Sequence, residues 1–179
     1  MRAKTFKTCT NKYTIQIRLP ADLSSRILTW GDENIDDDLF YTNPNDLAFG
    51  REDDPHITVL YRLDDNDPRL VEKILADHKS FDVHLGKTSL FTSNDFFDVL
   101  KIDVAGDELF GLNCLLTNSL NPPIQYPRYV PHVTIGFMKK HTGCRFKNLD
   151  VFEGERFTVE NLYFVCRAGV KTNIKMGPQ

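Results

Sequence analysis

The sequence predicts an α+β fold made of two similar halves. Three observations predict it: strand-like and helix-like patterns alternate along the chain, their order (strand, helix, proline-containing loop, strand) occurs twice, and the closing strand opens Pro-His-x-Thr both times. The two copies are Pro55-His56-Ile57-Thr58-Val59 and Pro131-His132-Val133-Thr134-Ile135. No residue-level repeat accompanies the repeated order. The inference is a duplicated unit about a pseudo-twofold axis, each half giving one His-x-Thr strand to a shared cleft.

Each element has a local reason. Tyr13, Ile15, Ile17 and Leu19 alternate with polar residues as in a half-buried strand, and Pro20 stops it. Leu23, Ile27 and Trp30 recur at helical spacing, with Gly31 expected to end the helix. Asp32 to Asp38 and Asn43-Pro44-Asn45-Asp46 read as an exposed connection running to Arg51-Glu52-Asp53-Asp54-Pro55. The strand His56 to Tyr61 follows. Asp67-Pro68 then caps and opens a helix whose apolar face is Leu70, Val71, Ile74 and Leu75. Phe81, Val83 and Leu85 alternate as a strand, with Lys87 to Phe91 as a second. Phe96 to Val104 is a strand, Asp107 to Leu120 a helix with Leu109, Leu112 and Leu116 on one stripe. The prolines of Asn121-Pro122-Pro123 and Tyr126-Pro127 force a loop before the strand His132 to Phe137. The tail offers strands from Phe157 to Cys166 and from Thr172 to Met176.

Composition narrows the function classes. A chain of 179 residues with 41% apolar and 26% charged residues suits one domain, taken as residues 1–179 in two lobes. No apolar run approaches the roughly 18 to 20 residues that span a bilayer, and Met1 to Thr10 lacks a secretory apolar stretch, so a cytoplasmic protein without a membrane partner is expected. Net charge −3 and a pI near 5.9 argue against coating long double-stranded nucleic acid. Cys9, Cys114, Cys144 and Cys166 show no C-x-x-C spacing, which speaks against a zinc knuckle or redox motif. No H-E-x-x-H, G-x-S-x-G or G-x-x-x-x-G-K-[ST] occurs.

The paired motif carries the chemistry. Residues two apart in a strand share a face, so His56 sits with Thr58 and His132 with Thr134, while the β-branched residues between and after them pack behind. Breaking a phosphodiester needs one proton taken from the attacking hydroxyl and one given to the leaving oxygen. Imidazole, with an ordinary pKa of about 6.5, can do either near neutral pH. Threonine hydroxyls can donate to the non-bridging oxygens as charge builds up. One His-x-Thr alone is usually packing or surface; two, each preceded by proline, are the signal. No metal or other cofactor is required.

These motifs, 76 positions apart, resemble those of the two-histidine (2H) phosphoesterase superfamily, which includes LigT-like RNA ligase and cyclic phosphodiesterase proteins. The resemblance implies a bilobal fold, with two antiparallel sheets facing a central cleft and helices outside. It also implies that His56 and His132 are acid and base and that Thr58 and Thr134 grip the phosphate. Gly50-Arg51-Glu52-Asp53-Asp54 before the first motif, and the lysines after Pro-His-Val-Thr-Ile-Gly-Phe, resemble phage members that degrade the cyclic oligonucleotide signals of bacterial anti-phage defence. That likeness implies a metal-independent phosphodiesterase acting on cyclic oligonucleotides, in the host cytoplasm if the chain is of phage origin. Other branches imply a 2′,3′-cyclic phosphodiesterase or a 2′,5′ RNA-processing enzyme acting on short RNA-type substrates. No obligate protein partner is implied.

Secondary candidates surround the motifs. Tyr13, Tyr61, Tyr129 and Phe137 can stack a nucleobase, Tyr13 and Phe137 being preferred. Lys139 opens a basic run, with Lys140, Arg145 and Lys147, that can receive further phosphates. Glu160 can accept from an adenine amino group. His78, His84 and His141 lack the threonine partner and are read as structural or exposed. Two rival classes are a binding module that holds an oligonucleotide without cutting it and a metalloenzyme using the histidines as ligands.

Overall fold

A computed structural model describes residues 13–44, 49–63, 67–123, 128–166 and 170–177. In β1 (Tyr13–Arg18) Ile15 and Ile17 enter the core, as the alternation predicts. Pro20 precedes α1 (Ala21–Asn34), which buries Leu23 and Ile27. Gly31 does not end this helix but lies inside it, buried. A Cβ there would stand 3.3 Å from Arg51 Nη1 and 3.9 Å from the Ile135 side chain, so the glycine permits a close approach.

The next elements follow expectation more closely. β2 spans His56–Leu63. α2 (Pro68–Leu75) starts with Asp67 accepting the Arg69 N–H and Pro68 in the first position. Its buried face is Val71 and Leu75; Leu70, expected there, is exposed. β3 (Phe81–Phe91) is one strand where two were expected, with an irregular register between Leu85 and Thr88. β4 (Phe97–Ala105), α3 (Asp107–Leu120) and β5 (His132–Lys139) come next, and Leu109, Leu112 and Leu116 are buried as one stripe.

The strand order is β6-β3-β4-β5-β2-β1-β7-β8, with every pairing antiparallel. Here β6 is Arg156–Val159, β7 is Asn161–Cys166 and β8 is Lys171–Lys175. The expected two sheets are therefore two four-stranded halves joined into one curled sheet, and the β2–β5 join is the single pair Ile57↔Val133. The tail strand expected from Phe157 to Cys166 is split because β6 and β7 belong to opposite halves; the chain crosses between them at Glu160.

The duplicated order is visible in three dimensions. β1-α1-β2 and β4-α3-β5 are each an antiparallel pair spanned by a helix. α1 packs against β5 and α3 against β2, so each helix crosses to the other half. Ile57, Val59, Val133 and Ile135 face the helices in the core, which leaves the opposite face of β2 and β5 for the polar residues.

Beyond Ile57 and Val133 the two strands part, and backbone groups freed by that must find partners. Along β5 the Glu52 N–H donates to the Ile135 carbonyl (2.9 Å), the Phe137 N–H to that of Gly50 (2.8 Å) and the Tyr41 N–H to that of Phe137 (2.8 Å). On β2 the Asn113 side chain donates to the Val59 carbonyl (2.7 Å) and the Tyr129 hydroxyl to the Thr58 carbonyl (3.2 Å). The connection after α1 is thus more than an exposed linker, and its Ile35 and Phe40 are buried. Asp32, expected in this connection, belongs to the last turn of α1, and the acidic residues do face outward, Asp32 and Asp37 pairing with Arg51 and Asp36 with Arg145. Asn45-Asp46, Tyr126-Pro127 and the start Met1 to Thr10, with Cys9, lie outside the described residues. Among the described residues no helix is long and apolar enough to cross a membrane.

Candidate active site

His56 and His132 are the first residues of β2 and β5. The pair Ile57↔Val133 lies between them. Extending that antiparallel register by one residue each way sets His56 opposite Thr134 and Thr58 opposite His132. All four side chains then share the face turned away from the helices, since cross-strand partners point the same way.

Both rings are oriented alike. Nδ1 of His56 lies 2.7 Å from the Asp54 carbonyl oxygen, and Nδ1 of His132 lies 2.7 Å from that of Val130. A carbonyl only accepts, so Nδ1 carries the proton in each ring and Nε2 is the nitrogen left for chemistry. The prolines contribute to this. Pro55 and Pro131 bias Asp54 and Val130, the residues before them, toward extended backbone, and those residues supply the accepting carbonyls.

The surroundings set the charge states. Partial burial pushes the His132 pKa below its ordinary value, the Val130 carbonyl opposes this, and the nearby Lys101 and His56 lower it further. Glu52, read in the sequence as the end of an exposed connection, is a support for His56. Its Oε1 accepts the backbone N–H groups of Asp53 (3.1 Å) and Asp54 (3.0 Å), shaping the turn whose carbonyl holds His56. Burial raises the Glu52 pKa, while the nearby His56 opposes that shift. Glu-Asp-Asp-Pro-His is the local signal that would have found it, a carboxylate two residues before a proline-fixed carbonyl.

Asp54 anchors the same turn from outside. Its carboxylate is gripped by Arg18, directly opposite His56 on β1, and by Lys171 on β8 (2.6 Å). Burial alone would raise its pKa, but these hydrogen bonds prevail and hold it at about 2. A depressed carboxylate stabilises the fold above its unfolded pKa, and that contribution is lost as pH falls through the folded value. Asp54→Asn is therefore expected to lower the Tm at pH 6, with the difference from the parent shrinking between pH 4 and about pH 2. Thermal melts of both proteins across that range check this; a constant difference contradicts it.

A family model described as the 2′-5′ RNA ligase superfamily matches residues 42–171, a stretch containing both motifs. The chain belongs to that superfamily. Its members are the 2H phosphoesterases, and this chain is accordingly a phosphodiesterase, a hydrolase. No curated protein matches the sequence. Among solved structures, TT0787 of Thermus thermophilus is similar at 15% identity and a TM-score of 0.65, covering 94% of this chain and 100% of that one. E. coli LigT complexed with 3′-AMP is similar at 13% identity and a TM-score of 0.58, covering 92% and 94%. Kluyveromyces marxianus Usb1 is similar at 12% identity and a TM-score of 0.51, covering 94% and 99%. These likenesses show that the superfamily's fold extends over nearly the whole chain.

The superfamily fold places the remaining candidates unevenly. Strict alternation would put Phe137 behind the sheet with Val133 and Ile135. The register passes from Leu100↔Gly136 to Lys101↔Thr134, one extra residue in β5, and this bulge brings Phe137 and Lys139 to the face of Thr134. Phe137 packs edge-on against Phe97 (5.4 Å) and Phe49 (5.2 Å), and Lys139 is exposed. Tyr13 is placed elsewhere: it packs against the core and stacks on Phe164 at 4.8 Å, away from the His–Thr row. Tyr129 is half-buried, its hydroxyl donating to Thr58, and Tyr61 is exposed. Glu160 is exposed at the crossing between β6 and β7. Lys140 holds the loop ahead of β4 and Asp98, and Arg145 pairs with Asp36, so the basic run is partly structural. Phe91, not singled out in the sequence, meets the His132 ring edge-on at 4.9 Å.

Proposed function

We propose that the chain cleaves nucleotide phosphodiesters without a metal, most specifically in cyclic oligonucleotide second messengers, with His56 and His132 as acid and base. The observation that supports this reading is the matched pair of Nδ1-to-carbonyl bonds, which leaves Nε2 of each ring unused on strands whose register sets both histidines and both threonines on one face. In the first step a ribose 2′-hydroxyl oxygen bonds to phosphorus and its proton passes to one Nε2. The bond from phosphorus to the leaving oxygen breaks as the other Nε2 gives that oxygen a proton. Water then opens the cyclic phosphate with the two roles exchanged, leaving a linear 3′-phosphate. Thr58 and Thr134 donate to the non-bridging oxygens, where negative charge grows in the transition state. Phe137 and Lys139, on the same face, serve the base and a further phosphate; Tyr13 and Glu160 take no part in this version of the site.

Substrate class is supported by the nucleotide-sized ligands of similar folds, such as the 3′-AMP and the NADP+ in E. coli LigT complexes. The cyclic oligonucleotide rests on the likeness of Gly50 to Asp54 and of the second motif to phage enzymes. We place the whole chain, as one bilobal unit, in the cytoplasm, the host's if it is of phage origin. The superfamily's description favours a second reading, a 2′,5′ linkage in short RNA.

The test is a panel of 3′,5′ cyclic dinucleotides, 2′,5′-linked dinucleotides and 2′,3′-cyclic nucleotides incubated in EDTA, with products identified by mass. A 3′-phosphorylated linear product from a cyclic 3′,5′ substrate is expected. Intact ligand at high protein concentration would instead point to a binding module, and turnover that stops in EDTA to a metalloenzyme.

A further inference from the structure

The two halves match in backbone but differ in what faces each histidine. On β1, Arg18 stands across from His56 and Gln16 across from Thr58. On β4 the same places hold Asp103, across from His132, and Lys101, across from Thr134. Arg18 is engaged by Asp54, so its charge is met outside the row.

Lys101 is treated otherwise. Its side chain is only 4% exposed, and its ammonium pairs with Asp103, donates to Ser89 Oγ (2.6 Å) and lies 4.4 Å over the Phe91 ring centroid. Ser89 Oγ in turn donates to Asp103 (2.7 Å). The Phe91 ring, gripped by this cation on one side, meets His132 edge-on at an interplanar angle of 88°. A buried ammonium is costly to keep where an apolar side chain would fill the space. Here it sits one residue pair from His132, on the face where phosphate would bind.

We propose that Lys101 and Asp103 are positioning residues for His132, and that His132 is thereby the side chain that takes the proton of the attacking hydroxyl, leaving His56 to protonate the leaving oxygen. This rests on the phosphodiesterase reading given above. Among the described residues, the charged and titratable groups facing His132 are Lys101 and Asp103 from β4 and His56 from β2; the Val130 carbonyl faces it from the loop before β5. Burial, Lys101 and His56 disfavour an imidazolium there, and Asp103 favours it. The ring enters the reaction with its Nε2 lone pair free. His56 instead has the Glu52 carboxylate beside it. Lys101 and Asp103 act on His132 through their opposite charges, so they pull its titration, and with it the acid limb of the rate, in opposite directions.

The experiment follows the His132 imidazole by NMR titration in the full chain, its signal assigned by absence in His132→Gln. Lys101→Met is expected to raise the midpoint, Asp103→Asn to lower it, and Lys101→Arg to leave it near the parent's. The acid limb of kcat/KM on a 3′,5′ cyclic dinucleotide should move with it, so that Lys101→Met loses about 3-fold or more at pH 5.5. Midpoints that stay put, or that move the same way in Lys101→Met and Asp103→Asn, overturn the proposal. If Lys101→Met does not fold, the downward shift in Asp103→Asn decides. A parent that turns over no diester of the panel defeats the phosphodiesterase reading itself. A parent that works while both variants keep its pH profile defeats only the assignment of Lys101 and Asp103.

Discussion

Replacing either histidine by alanine is expected to lower kcat by about 10²- to 10⁴-fold, the range that a positioned proton-transfer group contributes. The two losses should be similar, because both rings are held by the same bond at the same length, 2.7 Å from Nδ1 to a carbonyl oxygen. Neither ring is fully buried, so folding should survive, and matching thermal melts of parent and variants establish that. The double variant should lose little beyond the worse single one, since one phosphorus needs both groups in the same event. Initial rates on the best diester of the panel measure all three. A single variant with parental turnover removes that histidine from the chemistry.

A large loss of stability is expected at Gly136. A Cβ there would run into the Phe40 ring and stand 2.9 Å from the Gly50 carbonyl oxygen, one of them a packed side chain and the other backbone. That carbonyl is the acceptor for the Phe137 N–H, so it has little room to retreat. Gly136→Ala should therefore cost about 2 kcal/mol, within the range for overpacking. For a chain of this size that lowers the Tm by about 4–8 °C. Because Gly136 is part of the bulge that turns Phe137 to the front, a KM increase should accompany the loss of stability. Denaturant melts and Michaelis plots check the two parts separately.

Much of the site could be read before any coordinates. Pro-His-x-Thr specifies a strand entry and a shared face, while the carbonyl before each proline that holds the ring emerges only in the structure. The helix at Pro68 was equally legible, because Asp67 and Pro68 act within a single turn. What escaped depended on partners distant in sequence. Gly31 looks like a helix end until Arg51 and Ile135 are found against it. The break at Glu160 is set by which half each flanking strand joins. Lys101 and Asp103 sit at alternating polar positions of β4, as exposed residues would, and only the β4–β5 register shows them beside Thr134 and His132. Phe137 reaches the front through a bulge that alternation cannot anticipate. Tyr13 was drawn toward the site by its neighbourhood, yet its strand turns it onto Phe164.

The most direct measurement is a crystal structure of the protein with a nucleoside monophosphate such as 3′-AMP. The phosphate should lie between β2 and β5, with Nε2 of His56 and Nε2 of His132 each about 2.6–3.2 Å from one of its oxygens. A phosphate held elsewhere, or contacted by one ring while the other turns away, would contradict the account.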